Sequence, residues 1–438
     1  MDHVILLSIP GLRAQDLAHM PQLKALVAPG DLATLVPSFP AVTWPVQTNM
    51  LTGQLPNQHG ITANGFYWKS DQVVEMWTAG NEKIRQPQIW DVLPRHHADL
   101  TSAVWFPMLS KNCGADVICM PAPVHNPDGS ESLWCYTRPT ELYGELMASH
   151  GHFPLQHFWG PLANLESSNW IANTAAVAAK QFRPRFFYVY LPHLAYAAQK
   201  LGPDSDAARK ACQDLDDLLG RFVLDMNQAY GPESPLWLVA SEYTIVNVDH
   251  VLYPNRLLRQ AGLLAVRQDE DGETIDFETS LAWALVDHQF SHIYVQDDQV
   301  VGQVVDLFQG QTGVAETLTG DERQIYAIDD DRAGEVVVIS TPNSWQAYYY
   351  WLEDQQAPQF ARTVDIHRKP GYDPVELHWD RRLNGVPLDA TLIQGSHGAP
   401  ATHNEQRGIL LSSQRGVFVE QATADTDVFD IVLRQFGI

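Results

Sequence analysis

The sequence predicts an α/β fold: a mostly parallel central sheet covered by helices on both faces, with a smaller mixed α+β segment inserted late in the chain. Three observations predict it. Short, continuous apolar runs alternate with helical stretches through the first 264 residues, and strands apolar on both faces belong to parallel sheets buried between helices. Pro- and Gly-rich turns such as Pro10-Gly11 close these runs, as expected where a strand hands the chain to a helix. Shorter, alternating segments follow across residues 265–392.

The first run, residues 4–9, feeds a helix expected over 14–26. Further buried strands are expected at 100–106, 186–191 and 236–240, with helices over 170–179, 204–230 and 255–261. Residues 107–160 carry Met120-Pro121-Ala122-Pro123, Asn126-Pro127-Asp128-Gly129 and Trp134-Cys135-Tyr136, and read as an elaborated loop region that walls a pocket. Short strands at 291–295, 336–339 and 347–351 precede a final strand at 408–412. The organisation expected is a core over 1–264, a smaller segment or cap over 265–392, and a return to the core over 393–438. Parallel sheets bind ligands at the carboxyl ends of their strands, and Thr43, Pro192 and Glu242 fall at such ends.

The formal net charge of −24 leaves no basic stripe to displace counterions, which excludes a nucleic-acid polymer as partner. A small anionic substrate remains, provided local cations offset the acidic field. Cys113, Cys119, Cys135 and Cys212 show no metal-type spacing, so they read as reduced, buried thiols. Neither a signal peptide nor a membrane-length apolar run is evident, and the expected location is the cytoplasm. Nothing in the sequence specifies an oligomeric state.

The densest motif runs Pro37-Ser38-Phe39-Pro40-Ala41-Val42-Thr43-Trp44-Pro45, then Thr52-Gly53, then His59-Gly60-Ile61 and Asn64. Pro45 is preorganised for the first turn of a helix, so the Thr43 hydroxyl would stand at a helix N-terminus, where anions bind well. Asn64, on a loop returning past tight turns, would bring an amide donor beside it. A Pro/Gly-rich loop in which Thr43 merely caps a helix would read the same on these residues alone.

This stretch resembles the type I phosphodiesterase and nucleotide pyrophosphatase family of the alkaline phosphatase superfamily, whose members carry a Phe-Pro-x-x-Thr-x-Pro segment, Thr-Gly, His-Gly-Ile and a nearby Asn in this order. The resemblance is strong over 37–64 and looser around 236–262 and 393–412. It implies an alkaline phosphatase-like core, a Thr43 nucleophile with Asn64 as transition-state donor, and hydrolysis of a phosphate ester or phosphodiester assisted by two zinc-type ions.

The ion-binding slots the resemblance implies are mostly altered. Ser8-Ile9-Pro10-Gly11-Leu12-Arg13 stands where the family has Ser-x-Asp-Gly-x-Arg; Pro192 and Tyr196 replace an Asp and a His; Ser241-Glu242-Tyr243 replaces Ser-Asp-His; only His397 before Gly398 is unchanged. Three readings stay open: a relocated site for one or two divalent ions, zinc first, built from Glu242, His397 and His193; metal-free chemistry; or a binding protein without turnover. Phosphoryl transfer or isomerisation is a further alternative. A carboxylate at Ala195, sharing a face with His193 in an extended chain, would complete a ligand trio, and the position holds alanine.

Asp287-His288-Gln289-Phe290-Ser291-His292 places two imidazoles four apart, a second candidate metal set from Asp287, His288 and His292, with satisfied core histidines as the alternative. His367-Arg368-Lys369 gathers scarce positive charge on a turn and reads as an anion-recognition loop, or as a solvated turn with an Asp365–Arg368 ion pair. These stretches suggest a bacterial branch with a site of its own.

Overall fold

The computed structural model describes residues 2–125, 131–231, 234–418 and 420–438; the Asn126-Pro127-Asp128-Gly129 turn lies outside them. Five strands run parallel at the centre: Val117–Pro121, Ser102–Trp105, Phe186–Tyr190, Val4–Ser8 and Leu236–Ala240, in that spatial order. Gly408–Ser412 adds antiparallel to Leu236–Ala240, Leu32–Val36 pairs with it, and Ala422–Ala424 closes that edge. Cys135–Arg138 closes the other edge, antiparallel to Val117–Pro121.

Alternation along the strands sends side chains to two separate cores. Ile5, Leu7, Val189 and Val239 pack on one face with the helices Leu165–Phe182 and Asp206–Tyr230. Val4, Leu6, Tyr188 and Leu238 pack on the other with the helices Thr43–Thr52, Ile89–His96 and Asp427–Gln435. Asp206–Tyr230 shows how the sequence specifies its element. The Ser205 hydroxyl accepts from the Ala208 N–H at 3.1 Å to start the helix, buried Ala211, Leu215, Leu218, Phe222 and Met226 recur at helical spacing, and the chain stops at Gly231.

A second, four-stranded antiparallel sheet is ordered Ala282–Asp287, Phe290–Val295, Val336–Ser340, Val314–Thr319. It has its own core, including Trp283, Val286, Ile293 and Val338.

Four expectations are corrected. The segment 14–26 is a 3₁₀ turn, Ala14–His19, followed by a helix, Pro21–Val27, because Pro21 has no N–H to continue the first ladder. Residues 107–160 are not mainly loop, since they supply two strands of the central sheet and the helix Leu142–His150. The strand 408–412 is not the last, since Ala422–Ala424 follows. Residues 347–351 form no strand although all five are buried. Three of their carbonyls are met by side chains of the helix Pro254–Gln260, Asn255 donating to Tyr348, Arg259 to Tyr350 and Arg256 to Trp351, in place of a strand partner.

Candidate active site

Three parallel strands end side by side at Ser8, Tyr190 and Ala240, and each is followed by one of the altered slots. The Leu191 N–H donates to Ser8 O, the Ile9 N–H to Ala240 O, and the Gly11 N–H to Tyr243 O, so the three loops converge. Gly11 has φ +84, and a β-carbon there would meet Ile245 at 3.4 Å and Ala195 at 3.9 Å.

Thr43 is the first residue of its helix, after extended Val42, and 6% of its surface is exposed. Its Oγ1 lies 3.0 Å from the Tyr243 hydroxyl. The side chain of Asn64 caps the same helix end, its Oδ1 accepting from the Trp44 N–H at 3.0 Å, while its Nδ2 and main-chain N–H donate to the two oxygens of Asp287 at 3.0 and 2.8 Å. Thr43 and Asn64 are therefore brought together, and Asn64 spends its amide on fixing the helix start. Burial raises the Asp287 carboxyl to about 6, against the donors from Asn64 that lower it.

Glu242, in left-handed backbone at φ +54, turns its carboxylate inward, where Oε1 accepts from the Ser8 hydroxyl and, at 2.8 Å, from Gln47 Nε2. Burial pushes it up to about 7, with Ser8 and Gln47 opposing the rise. His397 donates from Nδ1 to Ala41 O at 2.8 Å. Its ring is stacked on Tyr243, with centroids 3.7 Å apart, and on its other side meets His288 at 3.9 Å. His288 in turn stacks on Tyr372 at 3.7 Å and bonds Asp287 Oδ1 at 2.6 Å. Burial holds both imidazoles well below their usual pKa, and so neutral.

The remaining candidates lie elsewhere. A helix begins at His193 directly after Pro192, so His193 and Ala195 point in different directions rather than sharing a face. Ala195 packs with Ala41, Tyr243 and Ile245. His193 is surrounded by Asp214, Lys210 and Asn164, and burial lowers it to about 4. Asp287 and His292 sit on opposite strands of a hairpin whose two-residue turn is His288-Gln289, and His292 is a core histidine on Thr62 O at 3.0 Å, accepting from the Gly334 N–H. His367 reaches Met76 O at 3.0 Å. Arg368 is exposed and paired with Asp365. Lys369 is 1% exposed, held by Asp373 at 2.8 Å and Glu376 at 2.6 Å. Burial alone would lower its pKa, and the two carboxylates more than reverse this. Lys369→Ala strands both acids in the interior and is expected to cost about 3 kcal/mol, read from the urea midpoint.

Sequence reasoning missed Gln47 and the role of Tyr243. Gln47 was findable: it stands four residues after Thr43, on the same helix face.

These residues do not fit a two-ion centre. Pro10 and Pro192 carry no ligand atom, the Tyr196 hydroxyl donates to Phe158 O, and the Tyr243 hydroxyl is on Thr43. Among the described residues no three His, Cys, Asp or Glu side chains gather as a metal site requires.

A sequence profile of the type I phosphodiesterase / nucleotide pyrophosphatase family matches residues 4–373. The chain belongs to that family. It is 24% identical over 225 residues to an uncharacterized pyrophosphatase/phosphodiesterase of Schizosaccharomyces pombe, a match covering 50% of this chain and 40% of that protein; it thus spans about two fifths of the length of that curated relative. Its fold is shared with the phosphonoacetate hydrolase of Sinorhizobium meliloti, solved with phosphonoformate (TM-score 0.64, 17% identity, 98% of this chain and 95% of that one). It is also shared with murine ectonucleotide pyrophosphatase / phosphodiesterase 5, solved as an inactive threonine-to-alanine form with AMP (TM-score 0.62, 14% identity, 100% and 96%). The α/β core of this phosphodiesterase-family member is that of the alkaline phosphatase superfamily. No helix among its described residues is long and apolar enough to cross a membrane.

Proposed function

We propose that this family member hydrolyses a phosphodiester of a small molecule, with Thr43 as the attacking hydroxyl. The observation that carries the reading is the placement of Thr43 Oγ1 at the start of a buried helix, where the positive end of the helix dipole favours an oxyanion, although Asn64 already takes the Trp44 N–H. Asn64 and Asp287 fix that helix end, and the Tyr243 hydroxyl at 3.0 Å orients the Thr43 hydroxyl. Burial keeps Tyr243 a neutral phenol, able to donate to an oxygen that gains charge. The donors nearby are all neutral, which suits a singly charged diester better than a doubly charged monoester, because less charge must leave water. Family membership and the small anions held by the two structural neighbours support a small anionic substrate.

The test is release of nitrophenolate from bis(4-nitrophenyl) phosphate and from the 4-nitrophenyl ester of thymidine monophosphate. Turnover that disappears in Thr43→Ala supports the reading; no release from either ester by the wild type overturns it. A second reading, anion binding without conversion, is favoured by the near-complete burial of Thr43 and the loss of ligand atoms at Pro10 and Pro192. It predicts saturable binding of AMP in calorimetry with AMP recovered intact.

A further inference from the structure

We infer that the phenol of Tyr243 stands in for a metal ion beside Thr43, so that this chain carries no resident zinc at the site where its family would hold one. The inference rests on the placement of Thr43 proposed above and concerns what holds its hydroxyl.

The first argument is the use of every atom in the altered slots. Two slots are prolines. A third, Tyr196, spends its hydroxyl on a main-chain carbonyl on the side of Phe158. The fourth, Tyr243, brings its oxygen to 3.0 Å from Thr43 Oγ1, a hydrogen-bond distance. Only Glu242 Oε2 and His397 Nε2 are left, buried and without a hydrogen-bond partner among the described residues. Two protein atoms fall short of the three or four that zinc sites use.

The second argument is steric. Tyr243, His397, His288 and Tyr372 form a continuous column with centroid spacings of 3.7, 3.9 and 3.7 Å. The column, its two imidazoles tilted by 43°, leaves no room for an ion between the rings, so an ion could reach His397 only in the plane of its ring, at Nε2. Tyr372 is anchored at the far end by its hydroxyl donating to Gln199 Oε1 at 2.6 Å, and Tyr243 at the near end by Thr43. The third argument is electrostatic compensation. With two Asp ligands absent, the acids that remain are committed elsewhere: Glu242 is satisfied on one oxygen by Ser8 and Gln47, and Asp287 on both of its oxygens by Asn64 and His288.

The experiment is elemental analysis of the full chain after dialysis against excess zinc and gel filtration, together with diffraction at the zinc absorption edge. Zinc far below one equivalent, with no anomalous peak near Thr43, supports the inference. A stoichiometric ion at Glu242 Oε2 and His397 Nε2 overturns it. The companion variant restores the family's ligand types at once: Pro10→Asp, Pro192→Asp, Tyr196→His, Glu242→Asp and Tyr243→His. Provided circular dichroism shows it folded, it is expected to retain one or two zinc ions per chain, and a folded variant that retains none overturns the claim that these positions displaced the metal; if it does not fold, the wild-type measurement decides alone. Failure here is distinct from failure of the hydrolase reading. A zinc-loaded, active wild type overturns only the phenol inference, and a zinc-free, inactive one overturns only hydrolysis.

Discussion

Thr43→Ala is expected to reduce phosphodiester turnover by on the order of 10³-fold or more, the scale typical of removing an attacking group. Its fold should survive. The helix cap belongs to the Asn64 side chain and the Trp44 N–H, neither of which the substitution touches. What is lost is the partner of a buried phenol, Tyr243, and an orphaned hydroxyl costs about 1–3 kcal/mol. Thr43→Ser keeps the oxygen and should retain most of the activity. Measured side by side, the two variants separate a chemical role from a structural one: if Thr43→Ala turns over at the wild-type rate, the hydroxyl is not the nucleophile.

Acid should destabilise the fold steeply between pH 6.5 and 5. His59, His193 and His292 are held neutral by burial, at about 3, 4 and 4, and His288 and His397 are lowered well below their usual range. Unfolded imidazoles take a proton near 6.5, so below that pH the unfolded chain binds more protons and gains at the expense of the native state. Each such group contributes about 1.4 kcal/mol per pH unit. Glu242 and Asp287, raised to about 7 and 6, act in the opposite sense, because the folded chain protonates them first. Asp330, Glu376 and Asp425, also raised by burial, oppose the loss too, while His378, lowered to about 4, adds to it. The net loss is on the order of a few kcal/mol across that window, a sizeable share of a domain's stability. Urea melts at pH 7.5, 6.5 and 5.5 provide the measurement, and a midpoint that does not move would show that these rings titrate normally.

His59 shows how tightly such a ring is built in. Its Nε2 donates to Asn49 Oδ1 at 2.7 Å and its Nδ1 accepts from the Ile61 N–H, while Asn49 donates to Asp425, which also holds Ser38. A protonated ring would have no acceptor for its second N–H.

Much of this architecture could be read from residue order. Val4–Ser8, Phe186–Tyr190 and Leu236–Ala240 announce themselves as unbroken apolar runs, and Thr43 and Pro45 announce a helix start; Asn64 reads as an amide donor beside it, whereas its oxygen caps the helix. The legible features are local ones. Ala347-Tyr348-Tyr349-Tyr350-Trp351 misled because three of its carbonyls are met by polar side chains about 90 residues earlier, which no local pattern reveals. His193 and Ala195 misled because a helix starts immediately after Pro192, turning a two-residue spacing from one face into two. Asp287 and His292 misled because a two-residue turn, with His288 at φ +58, sets them on facing strands. At Tyr243 the replaced side chain was plain, yet that its oxygen meets Thr43 depends on two segments 200 residues apart.

The hairpin tip of the second sheet is bonded to two loops of the site: Asp287 secures Asn64, and the Gln289 N–H bonds His397 O at 3.0 Å. The helix that begins at Thr43 is thus braced by a strand that follows it by more than two hundred residues. A nick or loop insertion that loosened that hairpin would reach Thr43 without altering any residue beside it, and partial proteolysis of the late segment should silence the cleft before the large sheet gives way.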